Sequence, residues 1–305
     1  MTSCIQGIRP PCRTLASEVQ AGTRHTETVR QRTASRHDAA TPSTPARHRS
    51  RARRVAKAIG LGAFAVVVLV AVGFFTWAKL PMSATASSLR AVADDPRVAV
   101  TDRPDLVVMR PAQTEALDQG LVFVAGARVD PQAYEEVLSG LVATGVTVVI
   151  ERPVLGFGLF DWRGLDHFTA AAPEVTNWAV GGHSLGGVRA CGYAADDPSV
   201  DGLVLFGSYC ATTDLSGDDD LPVLSLSGSD DGLSTPDDVE RYRDMLPADA
   251  TMVEIDGSSH AQFGSYGEQS GDGTPALTDE EARARIDREL TSFFATVGDG
   301  APAGG

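Results

Sequence analysis

Cysteine is scarce in this chain of 305 residues, which holds only Cys4, Cys12, Cys191 and Cys210. Four are too few for a disulfide scaffold, and without a CxxC pair the spacing of a zinc site is missing, so no metal is expected. Positive charge is scarce too, except at one end. Residues 1–57 carry twelve Lys/Arg against three acids, a net +9, which leaves −23 for the rest of a chain whose total is −14. An acidic body lacks the cationic surface that displaces phosphate counterions, so nucleic acid is not an expected partner. With 43% apolar and 22% charged residues, wholesale disorder is excluded and a packed core is within reach.

The polarity switches at one hydrophobic run. Ala58 to Ala78 reads AIGLGAFAVVVLVAVGFFTWA and carries no charge. A helix of that length spans about 31 Å, close to the hydrocarbon thickness of a bilayer. It is apolar on every face, which suits a spanning helix and not an amphipathic surface helix. Arg51, Arg53, Arg54 and Lys57 precede it and only Lys79 follows closely. The positive-inside rule then places the N-terminus in the cytoplasm and the body outside, with Trp77 at the interface. The alternatives are a buried globular helix and a signal peptide cleaved at Ala84-Thr85-Ala86, which gives a secreted product. The expected division is a disordered basic cytoplasmic tail (1–57), a transmembrane helix (58–78), a linker (79–96), a folded domain (97–297) and a disordered C-terminus (298–305). Cys4 and Cys12 fall in the tail.

The body alternates short apolar runs with helical spacing. Strands are expected at 97–101, 106–109, 120–126, 146–151, 178–182, 202–208, 222–228 and 251–256. Helices are expected at 131–144, 161–172, 185–195, 237–245 and 278–297. Asp130 and Thr278 serve as N-caps, and Glu281 stands in the capping-box position. Apolar strands alternating with helices predict a mostly parallel sheet covered on both faces.

Gly182-His183-Ser184-Leu185-Gly186 matches G-x-S-x-G between an expected strand and an expected helix. So sharp a turn crowds the positions two before and two after the serine, which explains Gly182 and Gly186. Ser184 is then the nucleophile, and it needs a base. His260, in the loop after the last strand, fits the order Ser…Asp…His. His183 points away from the serine in such a turn, and His167 precedes it. The orienting acid is Asp231 or Asp230, in the loop Gly228-Ser229-Asp230-Asp231-Gly232, with Asp231 preferred. Backbone N–H groups of Leu185 and Ala127 are the expected oxyanion donors.

The segments WAVGGHSLGGVRA, LPVLSLSGSDDGLST and EIDGSSHAQFGSYGEQSGDG resemble the bacterial α/β-hydrolase fold-5 domain proteins, over about Asp105 to Phe294. The resemblance implies an α/β-hydrolase fold, often membrane-anchored, with Ser184, Asp231 and His260 as triad. It implies no particular substrate. Ala125-Gly126 stands where Pro-Gly is expected, which matters little for a backbone donor.

The connection between Ser208 and Leu221 leaves no room for a helical lid, so no large cap domain is expected. Asp218, Asp219 and Asp220 within it read as solvated in preference to a calcium site. Gln262, Tyr266, Gln269 and Asp272 are pocket candidates, with packing of their own loop as an equal alternative. Cys191 and Cys210 are a possible disulfide in an oxidising compartment. The expected activity is that of a serine hydrolase on a small ester-like substrate, without cofactor. The alternative is a catalytically idle scaffold serving as a membrane-tethered binding protein. Thioester or peptide cleavage by the same triad is a third option.

Overall fold

The computed structural model describes residues 46–78 and 80–297. The apolar run lies in helix α1 (Ala46–Ala78). Its stretch Arg53–Thr76 has the length and hydropathy to cross a membrane, and none of its apolar window is buried. The chain divides within this helix into two units, one through Ile59 and one from Gly60 on. The tail through residue 45 with Cys4 and Cys12, the C-terminus from 298 on, and the Trp77 side chain lie outside the described residues.

Eight strands form one sheet. They are β1 (Val98–Asp102), β2 (Leu106–Pro111), β3 (Gln119–Val124), β4 (Thr147–Glu151), β5 (Asn177–His183), β6 (Val200–Phe206), β7 (Val223–Gly228) and β8 (Thr251–Ile255). The spatial order is β1-β2-β4-β3-β5-β6-β7-β8. The β1–β2 and β2–β4 pairs are antiparallel, and every pair from β4 to β8 is parallel.

The helices of the body are α2 (Ala86–Ala93), α3 (Glu135–Ala143), α4 (Leu165–Thr169), α5 (Leu185–Asp196), α6 (Pro236–Arg241) and α7 (Asp279–Phe294). Side-chain alternation along the strands feeds two cores. Leu121 and Phe123 of β3 join α3 and α7 on one face; Val122 and Val124 join α4 and α5 on the other. Strands buried on both faces must be apolar throughout, which is why they read as continuous runs. All the parallel strands end at one rim, where ligands bind in open α/β sheets.

Local hydrogen bonding explains the departures from the expected elements. The helix expected from 131 begins as a 3-10 turn, Pro131–Tyr134, with Asp130 accepting from the Gln132 N–H at 3.1 Å. The helix expected over 161–172 contracts to α4. Asp161 is buried and accepts from the backbone N–H groups of Val154 and Arg163, which holds the preceding residues in a turn. Helix α6 stops at Arg241, and a separate 3-10 turn covers Arg243–Met245. The stretch read as linker contains α2, eight residues whose Val92 is buried. Helix α7 starts with the expected capping box of Thr278 and Glu281. Residues 207–222 hold neither helix nor strand, and Asp218, Asp219 and Asp220 there are exposed.

Candidate active site

Between β5 and α5 the chain turns on Ser184 alone, with φ 53° and ψ −126°. A left-handed backbone costs a non-glycine residue about 1–2 kcal/mol, so the turn has to be held from outside. The Ser184 N–H donates to Phe206 O at 3.0 Å, and the Ser208 hydroxyl donates to Ser184 O at 2.7 Å. Space is equally tight. A Cβ on Gly182 would strike the backbone of Gly186, and one on Gly186 would strike Val124 O.

The loops after β7 and β8 bring an acid and a base together. Asp231 Oδ2 lies 2.7 Å from His260 Nδ1, with the two side chains 0% and 1% exposed. The other oxygen, Asp231 Oδ1, accepts from the N–H groups of Leu233 at 2.8 Å and Ser234 at 2.7 Å. Asp230 faces elsewhere and accepts from the Ala276 N–H at 3.2 Å. With Nδ1 engaged, Nε2 is the His260 nitrogen left for a substrate-side proton.

The other body histidines are occupied. The His183 ring lies 4.4 Å from that of His260, centroid to centroid. Its Nδ1 is hydrogen-bonded with the Tyr134 hydroxyl at 2.9 Å, and that hydroxyl accepts from the Gly126 N–H at 2.9 Å. Burial, and then the neighbouring His260, push the His183 pKa well below its usual value, so it stays neutral. His167 pairs with Asp105 at 2.8 Å, partly exposed.

This network also aims the loop after β3. The Gly126 N–H is spent on Tyr134, while the next amide, Ala127, has no acceptor among the described residues. The Leu185 N–H, first in α5, has none either, as expected of a helix N-terminus. Free N–H groups at such an end favour developing negative charge.

Three supporting residues escaped the sequence reading or were undervalued in it. Asp272 was read as a pocket candidate. Its carboxylate accepts from the backbone N–H groups of Gly232 at 3.1 Å, His260 at 3.1 Å, Ala261 at 2.8 Å and Gly273 at 2.8 Å. It thus ties the loop of Asp231 to the loop of His260. Burial opposes its charge, but these donors outweigh it and hold the carboxyl below its ordinary range. Gly207, at φ 47°, lies beneath the pair: a Cβ there would sit 3.0 Å from Asp231 Oδ2 and 3.1 Å from His260 Nδ1. Ser208 is the third.

Gln262, Gln269 and Asp272 line a cavity of about 410 Å³ whose lining includes neither Ser184 nor His260. Tyr266 is buried and donates its hydroxyl to Gln269. Cys191 of α5 and Cys210, beyond β6, are joined by a disulfide.

The model of the alpha/beta hydrolase family matches residues 120–284. No curated protein matches the chain. Among solved structures, a mutant of the esterase rPPE is similar at 16% identity and a TM-score of 0.50, covering 70% of this chain and 88% of its own. The esterase domain of a Rhodothermus marinus protein is similar at 15% identity and a TM-score of 0.45, covering 64% of this chain and 97% of its own. The family match spans more than half of the chain, from β3 into α7, and takes in the serine turn and both loops. The chain belongs to the alpha/beta hydrolase family of enzymes.

Proposed function

We propose that the protein is a serine hydrolase that cleaves ester-like carbonyl substrates through an acyl-enzyme. The observation that carries this reading is the buried Asp231–His260 contact, on loops at the rim where Ser184 turns. Ser184 Oγ attacks the carbonyl carbon while His260 Nε2 takes its proton. Asp231 holds the ring tautomer and stabilises the imidazolium. The Leu185 and Ala127 N–H groups receive the oxyanion. Collapse expels the alcohol, which takes the proton from His260 and leaves the acyl group on Ser184. Water, deprotonated by His260, then releases the acid. No metal or cofactor enters this cycle.

The second part of the proposal is topological: α1 anchors the enzyme, with the body outside the cytoplasm. The body itself favours an anchor over cleavage at Ala84-Thr85-Ala86. The Thr85 N–H donates to Ser265 O at 2.8 Å, Thr85 caps α2, and Ala86 is the first residue of that helix. A cut there would sever a folded segment. The buried Cys191–Cys210 disulfide suits the same oxidising side.

The test is a p-nitrophenyl ester chain-length series on the full chain beside Ser184→Ala. Turnover that vanishes in the variant supports the reading. Equal turnover by both, or none by either, contradicts it.

A further inference from the structure

The turn between β4 and α4 is built inside out. Its Asp161 is buried, while two of its aromatic residues, Phe160 and Trp162, face solvent. Asp161 is 5% exposed and accepts from Val154 N–H, Arg163 N–H and Arg163 Nε at 2.8–3.1 Å. Arg163 in turn donates to Arg152 O at 2.8 Å, and Arg189 of α5 donates to Arg163 O at 3.1 Å. This frame holds Phe160 at 59% and Trp162 at 79% exposure, with Phe157 against Phe160 at 5.7 Å. Exposed aromatics on a braced turn mark a contact surface, because a rigid frame denies them the option of folding inward.

Three hydrogen bonds of Arg128 connect this turn, the loop of Ala127 and the residues that follow α1. The Arg128 N–H donates to Gly156 O at 2.7 Å, directly beside Ala127, and Gly158 is packed tightly against Val124 and Arg189. Arg128 Nη2 also donates to Leu80 O at 2.7 Å, and Met82 N–H donates to Arg128 O at 2.6 Å. Helix α1 ends at Ala78. The four residues from there to Met82 reach at most about 14 Å. A membrane holding α1 therefore ends within a short tether of the loop that carries Ala127. Phe74, in the last turns of α1, stacks on Phe157 with centroids 6.4 Å apart.

We propose that the turn carrying Phe157, Phe160 and Trp162 rests in the headgroup layer of the bilayer that holds α1, and that the substrate is a long-chain ester drawn from that bilayer. This rests on the hydrolase and anchor readings above. Tryptophan suits that layer because its ring is apolar and its N–H stays wet, and phenylalanine suits the boundary with the acyl chains just beneath. The occupant is the lipid surface because the aromatic turn continues the apolar surface of α1 through Phe74, and because the tether leaves the rim no distance to travel.

The experiment uses the full chain reconstituted in phosphatidylcholine vesicles. Lipid brominated in the upper acyl chain quenches tryptophans at the interface. Trp162 is one of three tryptophans, so its share is the difference between wild type and Trp162→Tyr. Quenching of that share is the expected result; an unquenched Trp162 overturns the proposal. Turnover is then compared for p-nitrophenyl palmitate in the vesicles and p-nitrophenyl acetate in water. Phe160→Ser with Trp162→Ser is expected to lose about tenfold or more on the palmitate, because two aromatic contacts with the lipid are removed, with acetate turnover held. Equal loss on both esters, or on neither, overturns the proposal while leaving the hydrolase reading standing. Turnover of neither ester by wild type overturns both.

Discussion

Asp231 and His260 stand twenty-nine residues apart in the chain and 2.7 Å apart in the fold, in a contact almost closed to water. Asp230, the adjacent residue, is bonded to a different loop. The two aspartates are therefore not interchangeable. Asp231→Asn is expected to lower kcat by about 10³–10⁴, because the imidazole tautomer is no longer held. Asp230→Asn is expected to leave kcat within a few fold. Steady-state kinetics on the two variants, with circular dichroism to verify folding, checks this.

Gly207 supplies the room for that contact. Gly207→Ala puts a side chain on a left-handed backbone and 3.0 Å from Asp231 Oδ2. The backbone term alone costs about 1–2 kcal/mol. The expected outcome is a lower melting temperature together with a kcat reduced about tenfold or more as the pair is displaced. A variant with full activity contradicts this role.

Asp272 positions both loops through four backbone donors. Asp272→Asn keeps the shape and removes the charge, and it turns an amide N–H₂ toward groups that only donate. Stability is expected to fall by about 1–3 kcal/mol. Among the molecules that remain folded, kcat falls more than KM rises. Because its folded pKa lies below its ordinary value, the stabilisation is present above the unfolded pKa and is lost as pH falls through the folded one. The variant should therefore lack the part of the wild type's acid sensitivity that comes from this group, a difference visible in melts on the acid side of pH 4.

Glu151, at the end of β4, has the opposite sign. Burial first, and then the Asp161 carboxylate, push its carboxyl up to about 8. A raised pKa means that this group's contribution is full below the unfolded value and is lost as pH rises through the folded value. Glu151→Gln mimics the protonated form and removes that dependence. The variant should melt close to wild type at pH 4 and increasingly above it toward pH 8. A constant difference across that range contradicts the assignment.

The Cys191–Cys210 disulfide spans nineteen residues and links α5 to the loop after β6. A loop of that size corresponds to about 3 kcal/mol in the chain-entropy account. Replacing both cysteines with serine is expected to lower the denaturation midpoint by a corresponding amount, read by chemical unfolding of the oxidised and double-variant proteins.

The strands and the serine turn were legible in the sequence because their causes are local. β3 to β7 are buried on both faces and so are written as apolar runs, and Gly182 and Gly186 are forced by contact with each other and with β3. The pairing of His260 with Asp231 followed the expected chain order. What was not legible depends on contacts between distant loops. Gly207 follows an apolar strand like many glycines, and only the fold puts Asp231 and His260 above it. Asp272 sits in a Gly-rich stretch that reads as plain loop until the Gly232 and His260 amides converge on it. Helix α4 was overextended because the apolar spacing around Phe168 continues beyond it, while the buried Asp161 that ends the preceding turn leaves no periodic trace.

The proposed cycle depends on a Ser184 hydroxyl activated by His260. A fluorophosphonate probe tests it most directly, since it bonds only to an activated serine, and mass spectrometry of the labelled peptides locates the adduct. Labelling is expected on Ser184 in wild type, with none in Ser184→Ala and strongly slowed labelling in His260→Ala. Folded wild-type protein that takes up no probe, or takes it up at another serine, contradicts it.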